Sequence, residues 1–114
     1  MNPIQSVHIC GAGGIGTSGI ALLFHDAGYH VTATDIRESE ITMRLQQEGI
    51  PFALGNRQDW VLQADAIVTP SRFPENHMEV LAARDNHIPV LSRTEALFLL
   101  CQQFDIAPVI CVGT

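Results

Sequence analysis

The chain has 114 residues, 46% of them hydrophobic and 16% charged, which is the profile of one globular domain and not of a disordered segment. Its formal net charge is −6, which argues against a nucleic-acid-binding surface, because that needs a basic face. No apolar run reaches the ~18 residues of a membrane span, and residues 1–5 lack the basic start of a secretion signal, so a cytoplasmic location is expected.

Strand-like and helix-like segments alternate along the chain. Residues 7–10 read as a first strand. Residues 17–27 read as a helix with Ile20, Leu23 and Phe24 on one apolar stripe, stopped by Gly28. A second strand covers 30–34 and ends at Asp35. A second helix covers 39–48, with Ile41 and Leu45 on one face and Gly49 closing it. Residues 51–54 form a short third strand, and 56–60 a turn or a single helical turn. The fourth strand is 66–69. A third helix spans 76–86, where Asn76 and Glu79 have capping-box spacing. The fifth strand is 89–91. Ser92 and Glu95 repeat the capping pattern and open a helix that runs to Phe104. A sixth strand, 108–112, precedes Gly113 and Thr114. Short apolar strands alternating with helices predict an α/β fold: a Rossmann-like open parallel sheet, with helices on both faces and strand order 3-2-1-4-5-6.

Between the first strand and the first helix stands Gly11-Ala12-Gly13-Gly14-Ile15-Gly16, a complete G-x-G-x-x-G loop. In this setting Gly11 makes the tight turn and Gly13 lets backbone approach a pyrophosphate. Gly16 lets helix pack on strand, and the helix amides point at the anion. Asp35 stands 19 residues after Gly16 at the end of the second strand, where an acid accepts hydrogen bonds from a ribose. Arg37 could equally meet a 2′-phosphate. Ligands in such sheets bind beyond the carboxyl ends of the strands, and Arg37, Arg57, Arg72 and Arg93 all follow strands, while Arg44 and Arg84 lie within helices. Arginine there suits phosphate or carboxylate.

All six basic residues are arginine, so lysine chemistry is excluded from this chain. Cys10, Cys101 and Cys111 form no C-x-x-C pair and read as buried reduced thiols. No histidine pair has metal-ligand spacing. His8 reads as a hydrogen-bonded core residue, and His77 and Phe73 as minor candidates beside Ser71 and Arg72. A stand-alone NAD-binding module remains open on these residues alone.

The run over residues 8–21 resembles the opening of the Mur ligase family, above all of its alanine-adding branch. Thr34-Asp35 with Glu38-Ser39-Glu40, residues 68–73, Glu79, Ala82-Ala83-Arg84, residues 88–91 and residues 92–97 continue the resemblance in order. It implies a UDP-sugar-binding N-terminal domain over 1–112. It also implies that 113–114, Gly113 and Thr114, begin a truncated ATP-binding P-loop of a central domain. The implied ligand is the UDP part of UDP-N-acetylmuramate. Gly11, Ala12, Gly13, Gly14, Ile15, Gly16, Thr17 and Ser18 would hold its diphosphate. Asp35, Ile36, Arg37, Ser71 and Arg72 would hold ribose and uracil. The family's chemistry uses ATP and Mg in the complete enzyme: the muramoyl carboxylate is phosphorylated and L-alanine's amine attacks the acyl phosphate. The implied partners of this piece are the central and C-terminal domains, with no metal, cofactor, nucleic acid or membrane of its own. The piece alone would bind and not ligate. Thr17 for methionine, Arg72 for a small residue and His77-Met78 for Asn-Pro depart from the family pattern. Murein peptide ligase is the nearest alternative branch.

Overall fold

In the computed structural model, which describes residues 4–71 and 73–103, ten elements alternate. They are β1 (Ser6–Cys10), α1 (Ile15–Asp26), β2 (His30–Asp35), α2 (Glu40–Gln47), β3 (Phe52–Leu54), α3 (Gln58–Gln63), β4 (Ala66–Val68), α4 (Met78–Asp85), β5 (Val90–Leu91) and α5 (Arg93–Gln103). The strands pair in parallel in the order β3-β2-β1-β4-β5. This is the expected order for the described strands. The expected sixth strand, together with Gly113 and Thr114, lies outside the described residues.

The central strands are apolar because both their faces are covered. Successive β1 side chains point to opposite faces. Val7 and Ile9 join a core with Ile20 and Phe24 of α1, Leu45 of α2 and Ala96 and Leu100 of α5. Cys10 joins the opposite core with Val61 of α3, Ile67 of β4 and Val80 and Ala83 of α4. His8 points to that second face and is fully buried.

The helix boundaries follow cap chemistry. Ser39 and Thr42 cap α2 reciprocally through side chain and backbone. Ser92 and Glu95 do the same for α5: the Ser92 N–H donates to Glu95 Oε1 at 2.9 Å and the Glu95 N–H to Ser92 Oγ at 3.1 Å. α3 is a six-residue helix where a turn was one of two expectations, with Val61 buried against the sheet. α4 starts later than expected. Its N-cap is His77, and Glu79 turns inward instead of reaching back to Asn76. Cys10 is a free buried thiol as expected, whereas Cys101 is disulfide-bonded and departs from the expectation of reduced cysteines.

Candidate ligand cleft

A cleft of about 280 Å³ opens at the carboxyl ends of β2 and β1 and is walled by the segment that follows β4. It thus borders the β1/β4 junction, where the strand order reverses direction and open α/β sheets bind ligands. Gly11, Thr34 and Asp35 form its floor. Ile36 and Gly55 line one lip, Phe73, Pro74 and His77 the other, and Glu79 closes the bottom.

The glycine loop is braced from inside the protein. Gly11 adopts φ +60°, and a Cβ there would crowd Pro70. The Ala12 N–H donates to the Thr34 carbonyl at 3.0 Å, and the Thr17 hydroxyl donates to the Gly11 carbonyl at 2.8 Å. Asp35 latches the middle of the loop: its carboxylate accepts from the Gly13 N–H at 2.7 Å and from the Ile36 N–H at 2.6 Å. A Cβ on Gly13 would stand 2.7 Å from Asp35 Oδ2. An internal carboxylate thus already lies against Gly13, and the space a Gly16 side chain would fill holds the guanidinium of Arg93.

Beyond this brace the loop offers anion-binding groups. The first helical bond of α1 runs from the Ser18 N–H to the Gly14 carbonyl at 2.8 Å. The amides of Ile15, Gly16 and Thr17 therefore precede any helical acceptor. No side chain caps α1 and no acid lies in its first turn. Arg93 has no ion pair among the described residues, so its guanidinium stands unpaired over the same turn. Sequence reading put Arg93 on the right edge but not among the loop's own residues. The missing signal was the length of α5's first side chain, which reaches back across Gly16.

The other candidates divide. Ile15 and Ile36 are strongly exposed, at 84% and 76%, on either side of the loop. Arg37 and Ser71 are exposed and do not line the cleft. Arg57 is engaged elsewhere: it forms a two-bond pair with Asp59, at 2.6 and 2.9 Å, and lies 4.2 Å over the Trp60 ring. Arg72 lies outside the described residues.

Beneath the cleft the structure assembles a buried polar network that the sequence reading largely missed. The Glu79 carboxylate, fully buried, accepts from the Thr34 hydroxyl at 2.8 and 2.9 Å and from the Arg57 N–H at 2.8 Å. His8 Nε2 lies 3.3 Å from Glu79 Oε1 and 3.2 Å from Thr34 Oγ1, and His8 Nδ1 lies 2.8 Å from Thr32 Oγ1. Burial alone would raise the Glu79 carboxyl. The His8 hydrogen bond and charge, helped by the Arg57 amide and Thr34 hydroxyl, instead hold it at about 2. Burial, and then the Glu79 charge, push the Cys10 thiol up. His8 Nε2, Cys10 Sγ and a Glu79 oxygen lie within 4.8 Å of one another. The carboxylate is already filled by protein donors, so this trio serves as a hydrogen-bonded core. The network joins β1, β2, α4 and the turn before α3, and so holds both lips of the cleft. The one available signal was His8 itself, a histidine in an otherwise apolar strand that needs a buried partner.

A family model described as "Mur ligase family, catalytic domain" matches residues 6–105. The chain belongs to the Mur ligase family. It is 46% identical over 91 residues to a UDP-N-acetylmuramate–L-alanine ligase of Myxococcus xanthus, covering 80% of this chain and 19% of that protein. It is 44% identical over 94 residues to the enzyme of the same name from Geotalea daltonii, covering 82% of this chain and 20% of that one. The crystal structure of UDP-N-acetylmuramate–alanine ligase from Thermotoga maritima superimposes with a TM-score of 0.75 at 27% identity, covering 88% of this chain and 23% of that one. This Mur ligase chain thus spans about a fifth of the length of the curated relatives it matches.

Proposed function

We propose that this chain is the UDP-binding N-terminal domain of a Mur ligase that adds L-alanine to UDP-N-acetylmuramate. The observation that supports this most is the first turn of α1, where three amides without helical acceptors lie under the unpaired guanidinium of Arg93. Aligned amides and a bidentate-capable cation suit the two phosphates of a nucleoside diphosphate. The cleft alongside, with Asp35 and Ile36, takes the nucleoside. Two of the three donor amides belong to the family's glycine loop, and the ordered match to alanine-adding ligases favours UDP over a dinucleotide.

In this reading the chain binds and orients substrate and does not itself ligate. ATP and Mg²⁺ are handled by the central and C-terminal domains, its partners in the full enzyme. The described residues do not fit that chemistry: Glu79 is closed off by protein donors and Asp35 is held by two amides, and the chain has no lysine. The reaction belongs to the cytoplasmic side, where UDP-sugars are made.

The reading is tested by following amide NMR shifts while UDP-N-acetylmuramate, UDP or NADH is added. The uridine ligands are expected to move the amides of Gly13, Gly14, Ile15, Gly16, Thr17, Ser18 and Asp35. Movement with NADH alone would replace this reading by a dinucleotide-binding one.

A further inference from the structure

We propose that His8 and Glu79 form a proton-linked support beneath the cleft: a charge on the His8 ring offsets the Glu79 carboxylate, and losing that charge weakens the binding of an anionic ligand above it. The inference rests on the nucleoside-diphosphate reading above and adds a control of that site by pH, which the reading does not contain.

The two nitrogens of His8 stand in different chemical settings. Nε2 lies 3.3 Å from Glu79 Oε1 and 3.2 Å from Thr34 Oγ1. The Thr34 hydroxyl spends its hydrogen on the Glu79 carboxylate, so both neighbours of Nε2 only accept. Nε2 therefore carries a hydrogen in either charge state of the ring. Nδ1 lies 2.8 Å from Thr32 Oγ1. A hydroxyl donates to a bare Nδ1 and, turned about its own bond, accepts from a protonated one. The ring thus takes up or releases its second proton at Nδ1 with every hydrogen bond kept. His8 and Glu79 are fully buried, whereas Thr32 is half-buried. The exchangeable proton therefore sits on the edge of the pair beside a partly exposed group.

The surroundings offer Glu79 no second ion pair among the described residues. The Arg57 guanidinium is taken by Asp59 and Trp60, and the Arg57 amide is what reaches Glu79. On β1 the Cys10 thiol is kept protonated by burial and then by the Glu79 charge. From α3 the Trp60 ring stands 6.3 Å from the His8 ring. β2 presents the hydroxyls of Thr32 and Thr34, and β4 places the apolar Ile67 beside His8.

With the ring charged, the pair is neutral overall. With the ring neutral, a whole negative charge remains at the bottom of the cleft, which Glu79 closes. Asp35 already lines the floor, so an arriving diphosphate then meets two uncompensated carboxylates instead of one. Affinity for an anion falls as pH rises through the His8 titration. By linkage, the bound anion raises the proton affinity of His8 in return.

The test uses the 114-residue chain and UDP-N-acetylmuramate, whose own charge is constant over the range in which histidines titrate, about pH 5 to 8. Calorimetric affinity is expected to fall by about fivefold or more across that range. Binding near the midpoint, followed in two buffers of different ionisation heat, should take up protons, and the His8 ring ¹⁵N midpoint should rise with ligand. These wild-type measurements decide independently of any variant. Thr32→Val keeps the shape and removes the hydroxyl. The charged ring then loses the stronger hydrogen bond, so the His8 midpoint and the pH at which affinity falls should both move down. His77 also lines the cleft. His77→Asn keeps a residue favoured at helix caps and, whatever it does to affinity at one pH, should leave the fall with pH in place. If affinity is flat in pH, if the His8 ring ignores the ligand, or if the profile follows His77→Asn and not Thr32→Val, the proton-linked role is overturned and the ligand site stands. If UDP-N-acetylmuramate binds at no pH, the nucleotide reading itself fails and this proposal fails with it.

Discussion

Replacing Glu79 by glutamine probes the point on which both lips of the cleft depend. The variant keeps the side chain's shape but exchanges one accepting oxygen for an N–H₂ group, in a site where His8, Thr34 and the Arg57 amide all present donors. A donor then faces a donor unless the Thr34 hydroxyl or the His8 tautomer switches to accept, which breaks the arrangement that wild type holds. Two routes give the size of the effect. The carboxyl lies at about 2 against its ordinary 4.5, and at about 1.4 kcal/mol per unit this is on the order of 3 kcal/mol. Breaking one member of a buried pair independently costs about 3–5 kcal/mol. The expected loss is therefore about 3 kcal/mol, equivalent to a melting temperature lower by about 12 °C or more for a domain of this size. Urea melts at neutral pH measure it directly. Because the folded carboxyl is depressed, the wild-type contribution is fully present above about pH 4.5 and is lost as pH falls toward about 2, with the unfolded chain taking up the proton first. Glu79→Gln should flatten that acid limb as well as lower the plateau. A variant within 1 kcal/mol of wild type, with the same acid limb, would refute the reasoning.

Two further substitutions separate brace from ligand site. Gly16→Ala puts a methyl where the Arg93 guanidinium lies. Helix propensity gains up to about 1 kcal/mol, so the fold should survive while UDP affinity falls as far as in Arg93→Ala. The double variant should be no worse than either single one in a calorimetric double-mutant cycle. Asp35→Ala removes the acceptor for the Gly13 and Ile36 amides. Hydrogen exchange at Gly13 should speed up markedly while global stability drops by only about 1–2 kcal/mol, and uridine-ligand affinity should fall. An unchanged exchange rate would show that the latch does not order the loop.

The sheet was legible because its signals are local and repeated. Apolar strands of a few residues, each closed by a helix with a glycine stop or a serine cap, leave little choice of fold class, and Ser39 and Ser92 cap the helices they were expected to open. The α4 start was not legible. Asn76 and Glu79 have the right spacing for a capping box, but Glu79 is drawn inward by His8 and Thr34, which lie 71 and 45 positions earlier in the chain and reach it only through the sheet. Local spacing cannot foresee a competitor that arrives by tertiary packing. The arginines that follow strands part ways: Arg57 is claimed by Asp59 two residues away, whereas Arg93 has no ion pair among the described residues and Glu95, its near acid, serves the α5 cap through the Ser92 amide.

The glycine loop shows the same division most sharply. Its pattern is ordinarily explained by what a ligand needs, yet two of its glycines also make room for the protein's own charged groups: Gly13 for the Asp35 carboxylate and Gly16 for the Arg93 guanidinium. A carboxylate on the Gly13 amide occupies one donor that a phosphate could have used, so in the proposed UDP reading a diphosphate would be directed away from Gly13 and toward Ile15, Gly16 and Thr17. The negative charge of Asp35 repels it from one side while Arg93 attracts it from the other. The fingerprint thus encodes an orientation as well as a cradle. In the UDP reading proposed above, phosphate would sit at the helix start, with the Asp35 side left for the uncharged nucleoside.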